Sequence, residues 1–168
     1  MLRFNRGMTE WLLFTDGSVN TQTRHGFGAS LLVTSDESTH TLDELKTRIK
    51  VHEFTETSST KIELQTLLRA LAQVPKSCAS LTVYTDSQNI LSLLDRRAGF
   101  EAQDYHSKKG HLLRNAALYQ AFFQMLDQRE FKLVKVKGHK SSVSRDAIDH
   151  LFNLVDKASR KARRKHGP

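Results

Sequence analysis

The stretch LFTDGSVN at residues 13–20 joins an apolar run to a single aspartate, and glycine and small polar residues follow at once. The run Trp11-Leu12-Leu13-Phe14 is apolar on both sides of an extended chain, which is typical of a central strand covered on both faces. Asp16 then stands where that strand ends. A lone aspartate in such a place is most often a turn or capping residue, so it needs partners before it indicates chemistry.

A second strand end carries a matching aspartate. Residues 81–85 (LTVYT) predict a strand, and Asp86 follows it directly after a threonine, as Asp16 does. If the two strands are parallel neighbours, both carboxylates emerge at the carboxyl edge of the sheet, where open α/β sheets place their sites. The sequence therefore predicts a pair of acids at one edge.

Glu63 is the third acid of the predicted group. It shares one face of a predicted helix with Leu67 and Leu71, so it lies on or beside the face directed at the sheet. It can be a first-turn acid favoured by the helix dipole, or the partner of an arginine. Alternatively, it is a metal ligand beside the two aspartates, because close carboxylates repel unless a divalent cation neutralises them. Oxygen-only ligands suit Mg²⁺ or Mn²⁺.

The order of elements predicts the fold class. Three strands come first, and two helix–strand units and a last helix follow, with an exposed basic segment at 95–110. This order predicts an α/β fold with one five-stranded mixed sheet, three antiparallel strands and then two parallel ones, flanked by helices. The predicted strands are 11–14, 26–33, 48–54, 81–85 and 131–136; the predicted helices are 61–73, 87–94, 111–128 and 146–164.

Composition restricts the class of protein further. The 168 residues suit one domain, and a single cysteine excludes an intramolecular disulfide. No apolar run reaches the roughly 18 residues of a membrane span, so a cytoplasmic, monomeric protein is expected. The net charge of +8 is concentrated at residues 96–140 and 157–168, each +6. Two such blocks favour a nucleic-acid partner, although the second can also be a frayed cationic tail.

Five motifs occur in the order and on the elements typical of one family. They are TDGS at 15–18, IEL at 62–64, YTDSQ at 84–88, KGH at 137–139 and NLVDKA at 153–158. Together they resemble a type 1 ribonuclease H over residues 10–162. Residues 1–9 are then an N-terminal extension and 163–168 a basic C-terminal tail. The methionine start and the full set of motifs favour a free-standing protein.

The resemblance implies an activity and a catalytic set. Ribonucleases H cut the RNA strand of RNA–DNA hybrids without sequence specificity, using two Mg²⁺ ions, for which Mn²⁺ can substitute, and leave 5′-phosphate and 3′-hydroxyl ends. Asp16 would bridge both ions. His139 resembles the family's loop histidine, which assists proton transfer or product release. Carried over, the metal-binding and catalytic residues are Asp16, Glu63, Asp86 and Asp156, with His139 as a further catalytic residue.

The fourth acid has an alternative. Asp149, Asn153 and Asp156 share one helix face, so either aspartate could reach the site. The family's last acid follows an asparagine by three residues, which favours Asp156. The stretch from His139 to Asp156 is longer than is common in the family.

The resemblance also implies residues that bind the substrate. Backbone and small polar side chains would read the RNA strand, Ser58 would hold a DNA phosphate, and the basic segment would bind the DNA strand. Ordinary turns and caps use the same small residues, and the segment lacks the tryptophans often found there. The substrate-binding candidates are Gly17, Ser18, Ser58, Ser59, Gln88, Arg96, Arg97, Lys108 and Lys109.

Two other functions share these features. A DNA nuclease or strand-transfer enzyme of the wider superfamily has the same acidic cluster. A catalytically silent module would bind hybrids without cutting them, although the full set of carboxylates argues against this.

Overall fold

A computed structural model describes residues 9–136 and 146–167 of the chain. Five strands form one sheet in the order β3-β2-β1-β4-β5. β2 pairs antiparallel with both β1 and β3, whereas β4 runs parallel to β1 and β5. This arrangement confirms the predicted mixed sheet. The strands are β1 Glu10–Asn20, β2 His25–Thr34, β3 Lys50–Phe54, β4 Ser80–Thr85 and β5 Lys132–Lys135.

Helices cover both faces of the sheet. None of those in the described ranges has the length and hydropathy that crossing a bilayer requires. A 3-10 turn at Asp36–Thr39 lies between β2 and β3. The helices are α1 Leu42–Lys46, α2 Ser59–Gln73, α3 Gln88–Leu91, α4 Leu93–Ala102, α5 Ala116–Gln128 and α6 Ala147–His166.

The core has one layer on each face of the sheet. Alternate residues of β1 point to opposite faces, so Leu13 packs in a cluster with side chains of α2 and α5. Leu12 and Phe14 pack instead with Leu151 and Val155 of α6. Burial of both faces explains why β1 is apolar at consecutive positions.

Glycines let α2 approach the sheet closely. A Cβ atom on Gly28 would lie 1.9 Å from Thr66 Oγ1 of α2, and one on Gly26 would lie 2.5 Å from a methyl carbon of Ile62. Both distances are shorter than any real contact, so only glycine fits. This approach holds the first turns of α2, and with them Glu63, against the end of β1.

The basic segment differs from the prediction. Residues 95–102 continue α4, and α5 begins at Ala116 rather than at 111. The chain turns through Asp104 and Tyr105, which have positive φ angles of 48° and 57°. The ring of Phe100 stacks on those of Tyr105 and Tyr119, with centroids 5.9 and 4.9 Å apart. Aromatic packing therefore builds the segment into the fold.

The structure adds detail to the predicted elements in two places. The connection before β3 contains the short helix α1, which Thr41 caps and which buries Leu45. α6 continues to His166, two residues beyond the predicted end at about 164. Its last turn packs on the sheet, where the ring of His166 stacks on that of His25.

Candidate active site

Three acidic side chains from three parts of the chain meet where the parallel pairing of β1 with β4 ends. Asp16 lies within β1, Glu63 in the first turns of α2, and Asp86 directly after β4. One oxygen from each lies within 4.8 Å of the others. The parallel register pairs Phe14 with Tyr84, which places the two aspartates side by side. The three acids thus come together as predicted, but the predicted end of the first strand at residue 14 was wrong, because β1 continues through Asp16 to Asn20 by pairing with β2.

Two of the three acids, Asp16 and Glu63, are withdrawn from water, whereas Asp86 is exposed at the mouth of the cluster. Asp16 is only 4 % exposed. The Oε2 atom of Glu63 is buried and has no hydrogen-bond partner among the described residues. An oxygen in that state is costly unless a proton or a cation compensates it.

Burial and mutual repulsion raise the pKa values of these acids. Burial is the main cause for Asp16, and a hydrogen bond with Asp156 and the charges of Glu63 and Asp86 raise its pKa further. Burial followed by the charge of Asp86 raises the pKa of Glu63, whereas hydrogen bonds with Asp16 and the Gly17 backbone oppose that rise. Without a cation, the cluster therefore holds protons that isolated carboxyl groups would release.

Asp156 joins the cluster from α6. Its carboxyl group makes the hydrogen bond with Asp16, so it is the one of the two candidate aspartates that this contact brings to the site. Arg160, one turn later, donates from Nε to Asp156 Oδ1 at 3.0 Å and lies 2.6 Å from Oδ2 through Nη2. Asp149 lies in the first turn of α6, where its backbone N–H is capped by Asp146.

The four acids fit a divalent cation. Each offers only oxygen atoms, and such clusters suit Mg²⁺ or Mn²⁺. The unpartnered oxygen of Glu63 and the raised pKa values of Asp16 and Glu63 are what a bound cation would compensate. Asp16, Glu63, Asp86 and Asp156 are the residues that could hold such ions.

The small polar candidates surround this cluster. Ser18 Oγ accepts a hydrogen bond from Arg163 Nε at 2.7 Å. Ser58 caps α2 by accepting from the Lys61 backbone, and Ser59 is exposed in the first turn. Gln88 begins α3, and its Oε1 accepts from Lys135 Nζ at 3.4 Å. Several of these side chains therefore also have structural partners.

The basic candidates fall into two groups. Arg97 makes hydrogen bonds of 2.6–2.8 Å with Asp127 and Glu101, and Arg96 lies over the Phe100 ring at 4.8 Å. These contacts tie both arginines to the fold. Two further cations, on Lys108 and Lys109, lie in an exposed turn.

Sequence reasoning missed two residues of α6. Arg160 lies four residues after Asp156, a spacing that brings side chains together on a helix. The ion pair between them could therefore have been predicted from the sequence. The contact of Arg163 with Ser18 spans 145 positions, and no local pattern indicates it. His139 lies outside the described residues.

The mixed sheet with acids at its carboxyl edge defines an α/β protein with a ribonuclease H-like fold. The RNase H family model matches residues 8–157, so the chain belongs to the ribonuclease H family of hydrolases. A ribonuclease H of Caldicellulosiruptor saccharolyticus is 23 % identical over 155 residues, covering 91 % of this chain and all of that protein.

Shorter matches agree with this relative. A ribonuclease H of Methylobacillus flagellatus is 26 % identical over 58 % of this chain and 64 % of its own length. One of Legionella pneumophila is 24 % identical over 59 % of this chain and 69 % of its own length.

Proposed function

We propose that this protein is an endonuclease that hydrolyses the RNA strand of RNA–DNA hybrids without sequence specificity, with two Mg²⁺ ions. The observation that supports this most directly is the cluster of oxygen ligands beside the end of β4, in which burial and mutual repulsion raise the pKa values of Asp16 and Glu63. In a member of the ribonuclease H family, such a cluster is suited to phosphoryl transfer. The products would carry 5′-phosphate and 3′-hydroxyl ends.

The side chains divide the work of binding the ions. Asp16 would contribute to both positions, Glu63 and Asp86 to one, and Asp156 to the other. Bound ions would supply an activated water and stabilisation of the leaving oxygen. Arg160 holds both carboxylate oxygens of Asp156 and so fixes the orientation of that ligand.

The substrate would lie across the surface around the cluster. Gly17, Ser18, Ser59 and Gln88 would contact the RNA strand, whose 2′-hydroxyls face a wide minor groove. Ser58 would hold a phosphate of the DNA strand. Lys108 and Lys109 would add salt-sensitive affinity for that strand, with Arg96 and Arg97 alongside them.

The role of His139, the monomeric state and the cytoplasmic location remain predictions. We propose that His139 assists proton transfer or product release, in which case His139→Ala would slow turnover without abolishing metal binding. The monomeric state and the cytoplasmic location rest on the sequence alone.

The decisive experiment is cleavage of a labelled RNA–DNA hybrid with Mg²⁺ or with EDTA. Wild-type protein should cut only the RNA strand and only with the metal. Asp86→Asn should abolish cutting yet keep hybrid binding, because it removes one ligand at the mouth of the cluster. Asp43→Asn is the matched control, since that carboxylate is 98 % exposed in α1 and does not belong to the acidic cluster.

Other substrates in the same assay separate the alternatives. Cleavage of duplex DNA alone would indicate a DNA nuclease or strand-transfer enzyme. Hybrid binding with no turnover in either Mg²⁺ or Mn²⁺ would indicate a silent binding module. An Asp86→Asn variant that cuts at the wild-type rate would refute the assigned site.

A further inference from the structure

A second group of metal-ligating side chains lies where the last turn of α6 meets the sheet. His25 begins β2, Glu53 lies in β3, and His166 ends α6. His25 Nε2 is 2.5 Å from Glu53 Oε1, and the two imidazole rings are stacked with centroids 3.8 Å apart and an interplanar angle of 24°. One ligand atom from each residue lies within 4.8 Å of the others.

The strand register and the length of α6 create this group. Asn20 pairs with His25, and Phe27 pairs with both Ser18 and Glu53, so His25, Phe27 and Glu53 point to one face. That face is the one that α6 covers. Because α6 continues to His166 before Gly167 ends it, its final residue reaches the imidazole of His25.

We propose that His25, Glu53 and His166 form a binding site for one transition-metal ion of the Zn²⁺ class. Two imidazoles and a carboxylate are ligands that Zn²⁺, Ni²⁺ and Cu²⁺ accept, whereas Mg²⁺ prefers oxygen alone. Zn²⁺ binds such donors at about 2.0–2.1 Å, which puts neighbouring donors about 3.4 Å apart in a tetrahedron. On binding, side-chain rotations would have to bring the three donor atoms from within 4.8 Å of one another to that spacing.

The site would be open on one side. The side chain of Glu53 is 55 % exposed and that of His25 is 13 % exposed, so an ion can enter from solvent. Three protein ligands leave a fourth position for water. This donor set differs in kind from the four carboxylates of the cluster around Asp16, so the two sites would select different metals.

A bound ion would fix the end of α6. Arg163, in the same final turn as His166, donates to Ser18, and Asp156 and Arg160 lie one to three turns earlier. An ion that joins α6 to β2 and β3 would therefore clamp the helix that carries the fourth acid. Its direct effect would be on stability, because the ion binds only when the three elements are assembled.

An ordinary histidine–carboxylate pair elsewhere provides the control. His40 Nδ1 lies 3.8 Å from Glu44 Oε2, four residues later in the chain, and both side chains are exposed. Among the described residues, neither belongs to a group of three side chains that could hold a metal ion. Glutamine at His40 should therefore leave metal binding unchanged. Glutamine at His25 or at His166 removes one ligand of the proposed site while keeping a polar side chain.

The test uses the full chain, stripped of metal and then kept in excess Mg²⁺ to occupy the oxygen-only cluster. Titration with ZnCl₂ should raise the Tm of wild type and of His40→Gln with a stoichiometry of one. His25→Gln and His166→Gln should each weaken Zn²⁺ binding by more than about 10-fold. Loss of a hydrogen bond that supports a ligand already costs roughly 10- to 100-fold in affinity, and loss of the ligand itself costs more.

A second measurement does not depend on stability. Cu²⁺ bound at this site should show coupling to two nitrogen nuclei by electron paramagnetic resonance, and to one in each single variant. The proposal is overturned if Zn²⁺ still raises the Tm of a variant that carries both His25→Gln and His166→Gln, or if Cu²⁺ bound to the wild type shows no nitrogen coupling. Hybrid cleavage in Mg²⁺ should continue in His166→Gln, so failure of this site is separable from failure of the nuclease assignment.

Discussion

Two places in this molecule shift the pKa values of acidic side chains, and they shift them in opposite directions. Glu37 accepts hydrogen bonds from the backbone and hydroxyl of Thr34, both 3.0 Å, and pairs with Arg48. These hydrogen bonds, chiefly that of Arg48, lower the pKa of Glu37 to about 2. Asp16 and Glu63 are instead surrounded by other acids, and their pKa values rise. Glu37 is thus neutralised by its own arginine, whereas Asp16 and Glu63 would be neutralised by protons or by a bound cation.

The largest effect expected from this comparison is on Asp16. Asp16→Asn should slow hybrid cleavage by at least about 10³-fold, because it removes the central ion ligand. The same change should raise the free energy of unfolding in EDTA by about 1–3 kcal/mol, since folding no longer buries an ionisable acid there. Labelled-hybrid kinetics and denaturant unfolding in EDTA measure the two effects. A variant that loses both activity and stability would contradict the expectation.

The next effect is on the pH dependence of stability. The folded protein keeps protons on Asp16 and Glu63 that the unfolded chain releases above about pH 4. In EDTA, the Tm should therefore fall as the pH rises from there toward the raised pKa of Glu63, about 8. The Tm gain on adding Mg²⁺ should grow over the same range, because cations replace the protons. Thermal melts in matched buffers test this, and a gain independent of pH would contradict it.

A smaller effect is expected where a cation does sit beside the cluster. Arg160→Ala should lower kcat/KM for hybrid cleavage by about 10-fold, because Asp156 loses the guanidinium that orients it. Lys161→Ala removes one charge from the same helix at an exposed position and is the matched control. An equal loss in both variants would show that only the charge of α6 matters.

The smallest effect is on the acid that has its own cation. Glu37→Gln should lower the free energy of unfolding by about 1 kcal/mol at neutral pH, since its partner Arg48 is 40 % exposed and solvent screens the pair. Because the pKa of Glu37 is lowered, this loss should shrink as the pH falls toward 2. Glu44→Gln, at an exposed pair, should change stability less. Urea unfolding at two pH values provides the comparison.

Much of the site was predictable because its residues are coupled to regular elements. Asp16 and Asp86 each follow the paired part of two adjacent parallel strands by two residues, and Glu63 lies on the helix face that packs on the sheet. The periods of strand and helix therefore indicate that the three side chains lie close together. The arginine on Asp156 was missed although its helical spacing was visible. The bonding of Arg97 to Asp127 was not predictable, because it joins positions 30 residues apart.

The segment between β4 and α5 shows a second limit. Its polar sequence predicted an exposed excursion, yet Phe100 stacks with two tyrosines and α4 continues to Ala102. Sparse aromatic residues carry little periodic signal, although each contributes a large contact area. Tertiary packing therefore decided the shape of this segment.

The sequence by itself determined the mixed sheet and the acids at its carboxyl edge, because strand and helix periods fix which side chains share a face. Only the tertiary structure decided which acids have a cation, which arginines are bound to carboxylates, and that His166 meets His25 and Glu53. These contacts depend on the register between strands and on where α6 ends. No local sequence pattern predicts the strand register or the end of α6, since both are set by packing between elements far apart in the chain.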